Sequence, residues 1–372
     1  MIGPDFMLEE LRRLGIVFYT GVPDSLMKNF LLYLDSQREP VVHMPAANEG
    51  GAVALGVGHY LATGKCPLVY MQNSGLGNAV NPLLSLADRQ VYSIPVLLLI
   101  GWRGEPGVSD EPQHVKQGRI TLDLLRAMEI PYEILPADES EAATAIARVY
   151  RAAIESSSPA ALVARKSTFS GIEGLKQPAS RQAMTREEAL KLVADSLEDD
   201  AVVLSTTGKL SRELYEYRRA TGSDRVDFIT VGSMGHVSQI ALGVARGQTT
   251  RPVYCFDGDG SAIMHLGGMT VAGTSGLSNF KHVIFNNGAH DSVGGQSTPG
   301  FDIDLAAIAA AARYRETFFA DDKEGLEKEI ARFKHVRGPA LLEIRVGTGS
   351  RPDLGRPEEA MSDIKKRFMN RF

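Results

Sequence analysis

The chain has 372 residues, enough for two ordinary α/β domains that each bury a core without help from disulfides or metals. Its 40 basic and 45 acidic side chains leave a formal net charge of -5, which excludes the strongly basic profile of a nucleic-acid or anionic-membrane binder. Cys66 and Cys255 are the only cysteines, both in apolar runs read as strands, so neither a disulfide framework nor a thiolate metal site is expected.

The N-terminal MIGPDFMLEELRRLG mixes acids with its basic residues and has no continuous apolar stretch, unlike a secretory signal. No window elsewhere approaches the roughly 20 apolar residues that cross a bilayer. A reducing, cytoplasmic location is expected. The first half then alternates: IVFYTGV reads as a strand, SLMKNFLLYLDS as an amphipathic helix and VVHMPAA as a strand. EGGAVALGVGHYLATGK follows as a helix, PLVYMQN as a strand, GNAVNPLLSLAD as a helix and PVLLLIG as a strand. Such alternation predicts a parallel sheet covered on both faces, and the unbroken apolar run PVLLLIG fits a strand buried on both sides.

After ALVARKS, Gly, Pro, Ser and Gln accumulate, and residues 171–184 read as a linker between domains at 1–170 and 185–372. The second alternation runs through REEALKLVADSL, AVVLSTTG, SRELYEYRRA, DFITVGS, HVSQIALGVARG, PVYCFDGDG, a small-residue helix, HVIFNNG, LAAIAAAARYR and PALLEIRV. Two tandem doubly wound α/β domains are the expected fold. The charged tail RPDLGRPEEAMSDIKKRF is expected to pack on the surface.

PVYCFD ends in Gly258-Asp259-Gly260-Ser261, a helix follows, and HVIF ends in Asn286-Asn287-Gly288. In a parallel strand-helix-strand unit, residues 261–285 bring both strand ends to one edge of the sheet, where ligands of such folds bind. Asp259 and Asn287 could then meet around one ion. A carboxylate, an amide oxygen and a loop carbonyl are hard donors suited to magnesium or calcium, with ligand phosphates completing the shell, and the glycines let backbone N–H groups close on a diphosphate. A lone Gly-Asp-Gly after a strand is only a turn; the pair at this spacing carries the reading. Glu49 opens a helix with Asn48 placed to cap it, which alone is ordinary favourable charge at a helix N-terminus.

With these residues the second half resembles the thiamine-diphosphate enzymes, and the first half resembles their pyrimidine-binding domain. The resemblance assigns Asp259, the side chain of Asn287 and the main-chain oxygen of Ala289 to the metal, here Mg2+. Gly288-Ala289-His290 departs from the acidic residue, glycine and aromatic usual after the paired asparagines. It assigns Thr207, Gly232, Ser233, Met234, Gly258, Gly260 and Ser261 to the cofactor, Met234 as the apolar prop that bends it, a proximity effect. Glu49 becomes the group that bonds a pyrimidine ring nitrogen and switches on the cofactor's internal base. One subunit's pyrimidine domain faces another's diphosphate domain in this family, so a homodimer or larger homo-oligomer is implied. The short linker leaves no room for the middle domain many relatives carry.

Four stretches resemble the phosphonopyruvate decarboxylases: residues 18–26 (FYTGVPDSL), 72–78 (QNSGLGN), 110–118 (DEPQHVKQG) and 286–296 (NNGAHDSVGGQ). The implied reaction takes carbon dioxide from 3-phosphonopyruvate and leaves phosphonoacetaldehyde, a step towards phosphonate natural products. Asp24, His114 and His290 lie in those stretches as acid-base or orienting candidates, or as plain structural polar groups. A dianionic phosphonate calls for cations or donors, and Ser25, Arg103, Gln113, Lys116 and Lys209 stand at or beyond strand ends. Sulfopyruvate decarboxylation is the alternative, with separate chains for the two domains in many relatives, so fusion leans against it. A carboligating transferase like acetolactate synthase, or a non-catalytic cofactor-binding scaffold, is a further alternative.

Overall fold

Branched and aromatic side chains pack well on a pleated surface, and the short apolar runs of the chain fold as strands for that reason. The structure is a computed structural model that describes residues 1–172, 180 and 182–372. It divides into two units, Met1–Gln177 and Pro178–Phe372. Most of the expected linker, residues 173–179 and 181, lies outside the described residues.

The first unit runs α1 (Pro4–Arg13), β1 (Phe18–Gly21), α2 (Lys28–Asp35), β2 (Val42–Pro45), α3 (Glu49–Thr63) and β3 (Leu68–Gln72). It continues with α4 (Leu76–Pro82), β4 (Leu97–Gly101), α5 (Pro112–Ala127), β5 (Tyr132–Ile134), α6 (Glu139–Ser156) and β6 (Ala160–Ala164). All strand pairs are parallel, in the order β2-β1-β3-β4-β6-β5. Successive side chains of a strand point to opposite faces, so Leu68, Tyr70, Leu97, Leu99 and Leu162 build one core and Val69, Met71, Leu98, Ile100 and Val163 the other. Each such leucine contributes about 1.5–3 kcal/mol by leaving water. Asn48 does cap α3: its Oδ1 accepts the Gly51 N–H at 2.8 Å.

The second unit contains α7 (Arg186–Ser196), β7 (Val202–Ser205), α8 (Lys209–Ala220), β8 (Phe228–Ile229), α9 (Val237–Gly247) and β9 (Val253–Gly258). Then follow α10 (Asp259–Met264), α11 (Gly268–Thr274), β10 (Phe280–Asn286), α12 (Leu305–Ala311), β11 (Glu316–Ala320), α13 (Lys323–Phe333), β12 (Ala340–Arg345) and α14 (Met361–Met369). Its parallel sheet has the order β11-β12-β10-β9-β7-β8. Numbered within its own unit, each sheet reads 2-1-3-4-6-5. The order reverses beside the first strand, and the crevice outside the C-terminal ends of the first and third strands is where ligands of open α/β sheets bind.

Several local expectations differ from the structure. DFITV yields only a two-residue edge strand, β8. The helix after Gly-Asp-Gly is two helices, broken before Gly267-Gly268, where glycine makes helix continuation costly in backbone entropy. Cys66 stands just before β3 rather than within it; both cysteines are free and buried. The C-terminal tail includes α14, which buries Ile364 and Phe368. No helix among the described residues is long and apolar enough to cross a membrane.

Candidate active site

β9 carries Asp259 to the C-terminal edge of the second sheet, between β7 and β10. The side chain is 2% exposed. Thr298 donates its hydroxyl to Asp259 Oδ2, and the Asn287 N–H reaches Oδ1 at 3.3 Å. Burial pushes the carboxyl up to about 6 despite these donors, because an anion there has lost its water. A cation at the carboxylate would offset that cost.

The two asparagines at the end of β10 divide their work. Asn286 is fully buried; its Nδ2 donates to Gly300 O at 2.6 Å and Glu343 Oε1 at 2.8 Å, and its Oδ1 accepts the Gly288 N–H at 3.1 Å. It shapes the loop. Asn287 donates Nδ2 to Asp291 Oδ2 at 2.8 Å and accepts the Ala289 N–H on Oδ1 at 3.1 Å. Gly288 has φ +65°, and a Cβ there would lie 2.9 Å from the Phe301 ring, so the turn requires glycine. An antiparallel bridge joins Ala289 to Ser297 through Thr298 N–H to Gly288 O at 2.9 Å and His290 N–H to Gln296 O at 2.8 Å. These bonds do not consume the Ala289 carbonyl. Gln296 is 2% exposed, and among the described residues neither of its amide atoms has a partner. A buried carboxylate, an amide oxygen, a carbonyl that the bridge does not consume and an orphaned amide suit a hard divalent cation with an oxyanion.

Ser261 ties the surrounding loops together. Its hydroxyl is 2.9 Å from Thr206 Oγ1 and accepts the Gly235 N–H at 3.1 Å. Thr206 makes this bond, while the expected Thr207 stands next to it, partly exposed. Gly232 and Met234 are partly exposed and Ser233 is exposed, on the turn between β8 and α9. His290 lies against Gly260, where an added Cβ would come within 2.7 Å of the ring. Burial lowers its imidazole to about 4, so it is neutral at pH 7. Lys209 opens α8; burial lowers its pKa, opposed by the negative charge of Asp291.

In the first unit Glu49 is 5% exposed at the start of α3. Its Oε2 accepts Asn78 Nδ2 at 2.8 Å, and a Cβ at Gly75 would fall 2.4 Å from Oε1. The carboxyl is therefore clamped by the stretch 72–78, to which sequence alone assigned no role at Glu49. Asp24 is fully buried; Oδ1 accepts the Leu26 N–H at 3.0 Å and Oδ2 accepts Gln72 Nε2 at 2.7 Å, while burial raises its pKa. Those contacts are those of a cap. Arg103 spans both oxygens of Asp110 and donates Nη1 to Ser25 Oγ at 2.9 Å, which joins two of the expected substrate residues but commits the guanidinium fork to a carboxylate. Burial and the Arg103 charge lower the pKa of His114 on α5. On the same helix Gln113 is partly exposed and Lys116 exposed, without hydrogen bonds among the described residues.

Sequence reasoning missed Thr298, Gly300, Arg186 and Glu213. Asp291 lay within the quoted stretch 286–296 but was given no role there.

Residues 1–127 match the thiamine pyrophosphate enzyme N-terminal TPP binding domain, and residues 206–344 the C-terminal TPP binding domain. The chain is 35% identical to the phosphonopyruvate decarboxylase of Streptomyces viridochromogenes over 99% of this chain and 94% of that protein. Identity to the phosphonopyruvate decarboxylase of Streptomyces hygroscopicus is 36%, over 99% and 93%. It is 30% to the sulfopyruvate decarboxylase of Methanosarcina acetivorans, over 97% and 96%. That protein aligns with both halves on one chain, which corrects the expectation that fusion of the two domains leans against a sulfonate substrate.

Proposed function

The chain belongs to the phosphonopyruvate decarboxylase family of thiamine-diphosphate enzymes, decarboxylases of 2-oxo acids, and on that premise we propose that it converts 3-phosphonopyruvate to phosphonoacetaldehyde and carbon dioxide. The observation that carries the substrate is similarity to two phosphonopyruvate decarboxylases along 99% of the chain. The place of the step is phosphonate natural-product synthesis, in the cytoplasm.

Thiamine diphosphate, when bound, supplies the electron sink for carbon dioxide loss. The residues of this chain bind and orient. Asp259, Asn287 Oδ1 and the Ala289 carbonyl hold Mg2+, and Gly258, Gly260, Ser261, Thr207, Gly232 and Ser233 receive the diphosphate, with Met234 as the prop. Asn78 occupies Glu49 Oε2, so Oε1 is the oxygen available to a pyrimidine nitrogen. Neutral His114 and His290 can take or return a proton at a ring nitrogen. Asp24, already bonded through both oxygens, fixes the loop after β1. Ser25, Arg103, Gln113, Lys116 and Lys209 are the candidates for holding the phosphonate.

Helix α3 is apolar on its outward face as well, with Leu55 37% and Leu61 71% exposed. A helix apolar all round is a buried helix, and we read this face as the contact in a homodimer or larger assembly with shared active sites.

The test offers 3-phosphonopyruvate and sulfopyruvate separately to protein with thiamine diphosphate and Mg2+, following carbon dioxide and aldehyde. Preference for the phosphonate with equal aldehyde and carbon dioxide supports the reading. Preference for sulfopyruvate, the substrate in the name of the Methanosarcina relative, replaces it. A hydroxyketone product would instead identify carboligation.

A further inference from the structure

Asn287 has two nearly superimposable amide edges, and only one can ligate a cation. An amide turned the wrong way would present N–H groups to the ion. We propose that Asp291 is a positioning residue that orients this amide, and that Arg186 holds Asp291 in place to do so. The inference rests on the reading of Asn287 as a metal ligand.

A carboxylate only accepts hydrogen bonds, so the contact of Asp291 with Asn287 selects the NH2 edge; the distance from Nδ2 to Oδ2 is 2.8 Å. The Ala289 N–H, 3.1 Å from Asn287 Oδ1, fixes the same sense independently. Asp291 is itself immobilised: Oδ2 also accepts Arg186 Nη1 at 2.9 Å and the Gly349 N–H at 3.0 Å. Arg186 then grips Glu213 through Nε at 2.9 Å and Nη2 at 2.8 Å, and donates to Gly349 O at 3.1 Å. The three charged side chains are 6%, 7% and 1% exposed for Arg186, Asp291 and Glu213. Arg186 opens α7, Glu213 lies on α8 and Gly349 follows β12, so three elements converge on the loop after β10. Partners behind a metal ligand fix its orientation in this manner, and losing one costs roughly 10–100-fold in metal affinity.

A clamp that only stabilises the loop would use the same bonds, so the test reads metal affinity apart from stability. Free Mn2+ is followed by electron paramagnetic resonance with thiamine diphosphate saturating, and thermal unfolding of the cofactor-free protein is measured in parallel. D291A is expected to weaken Mn2+ binding by roughly 10–100-fold, and N287A, which removes the ligand itself, is expected to weaken it too. All three bonds land on Oδ2, so D291N, with its amide oxygen in that place, keeps near-normal affinity. D291S serves in the same way should D291A not fold. Lowered stability in D291A with unchanged Mn2+ affinity, beside a weakened N287A, overturns the inference and leaves Asn287 as a ligand. Unchanged affinity in N287A overturns the ligand and the inference together.

Discussion

The carboxyl of Glu49 is held from two sides, by the Asn78 amide and by the bare Cα of Gly75. If its free oxygen switches on the cofactor's internal base, Glu49→Gln keeps the shape and loses the proton-sharing. Exchange of the proton on the reactive carbon of bound thiamine diphosphate should then slow by roughly 10²–10⁴-fold, with calorimetric binding retained. Acid-quenched deuterium exchange read by NMR checks this, and unchanged exchange would move the role to another residue. Gly75→Ala tests the clamp. Its methyl would overlap the carboxyl, so about 1–3 kcal/mol of stability and part of the exchange rate should be lost together. A variant with normal melting and normal exchange would show that Glu49 tolerates displacement.

At the scale of elements, β10 and α13 are joined by a buried cation. Lys281 is 2% exposed and donates to Phe333 O at 2.8 Å and to Val336 O, at and beyond the last turn of α13. Burial lowers its pKa to about 8. Between that value and about 10.4 the unfolded chain binds a proton that the folded chain has released, so this residue makes stability rise with pH in that window. The contribution is lost as pH falls through about 8. Urea midpoints at pH 8 and pH 10 should show this rise in the wild type and less of it in Lys281→Met. Equal pH dependence in the two proteins would refute the assignment.

For the whole molecule, assembly is the prediction that the outward face of α3 makes. Leu61, 71% exposed, is its most open apolar side chain. Leu61→Glu should weaken association by roughly 30-fold or more, about 2 kcal/mol, if it sits at the centre of the contact. Light scattering after size exclusion should show a dimer or larger species becoming monomer, with activity falling alongside and circular dichroism unchanged. A variant of wild-type mass would place the contact on another face.

What could be read from the chain alone was what depends on neighbours in sequence. Runs such as PVLLLIG declared buried parallel strands because an unbroken apolar run is a local property of the chain. Asp259 and Asn287 could be paired because one strand-helix-strand unit links them, and its geometry nearly fixes where its ends fall. Even there, local reading overextended β8 and fused α10 with α11, since edge position and a glycine pair outweighed propensity. Tertiary structure alone decided the contacts between distant segments. Strand order 2-1-3-4-6-5 brings β1 beside β3, which lets Gln72 bond Asp24, and places Gly75 and the start of α4 against Glu49. Tertiary packing also brings Arg186 to Asp291 and Glu213 to Arg186. No periodicity encodes such meetings, because they depend on which strands lie side by side and on how helices close over them.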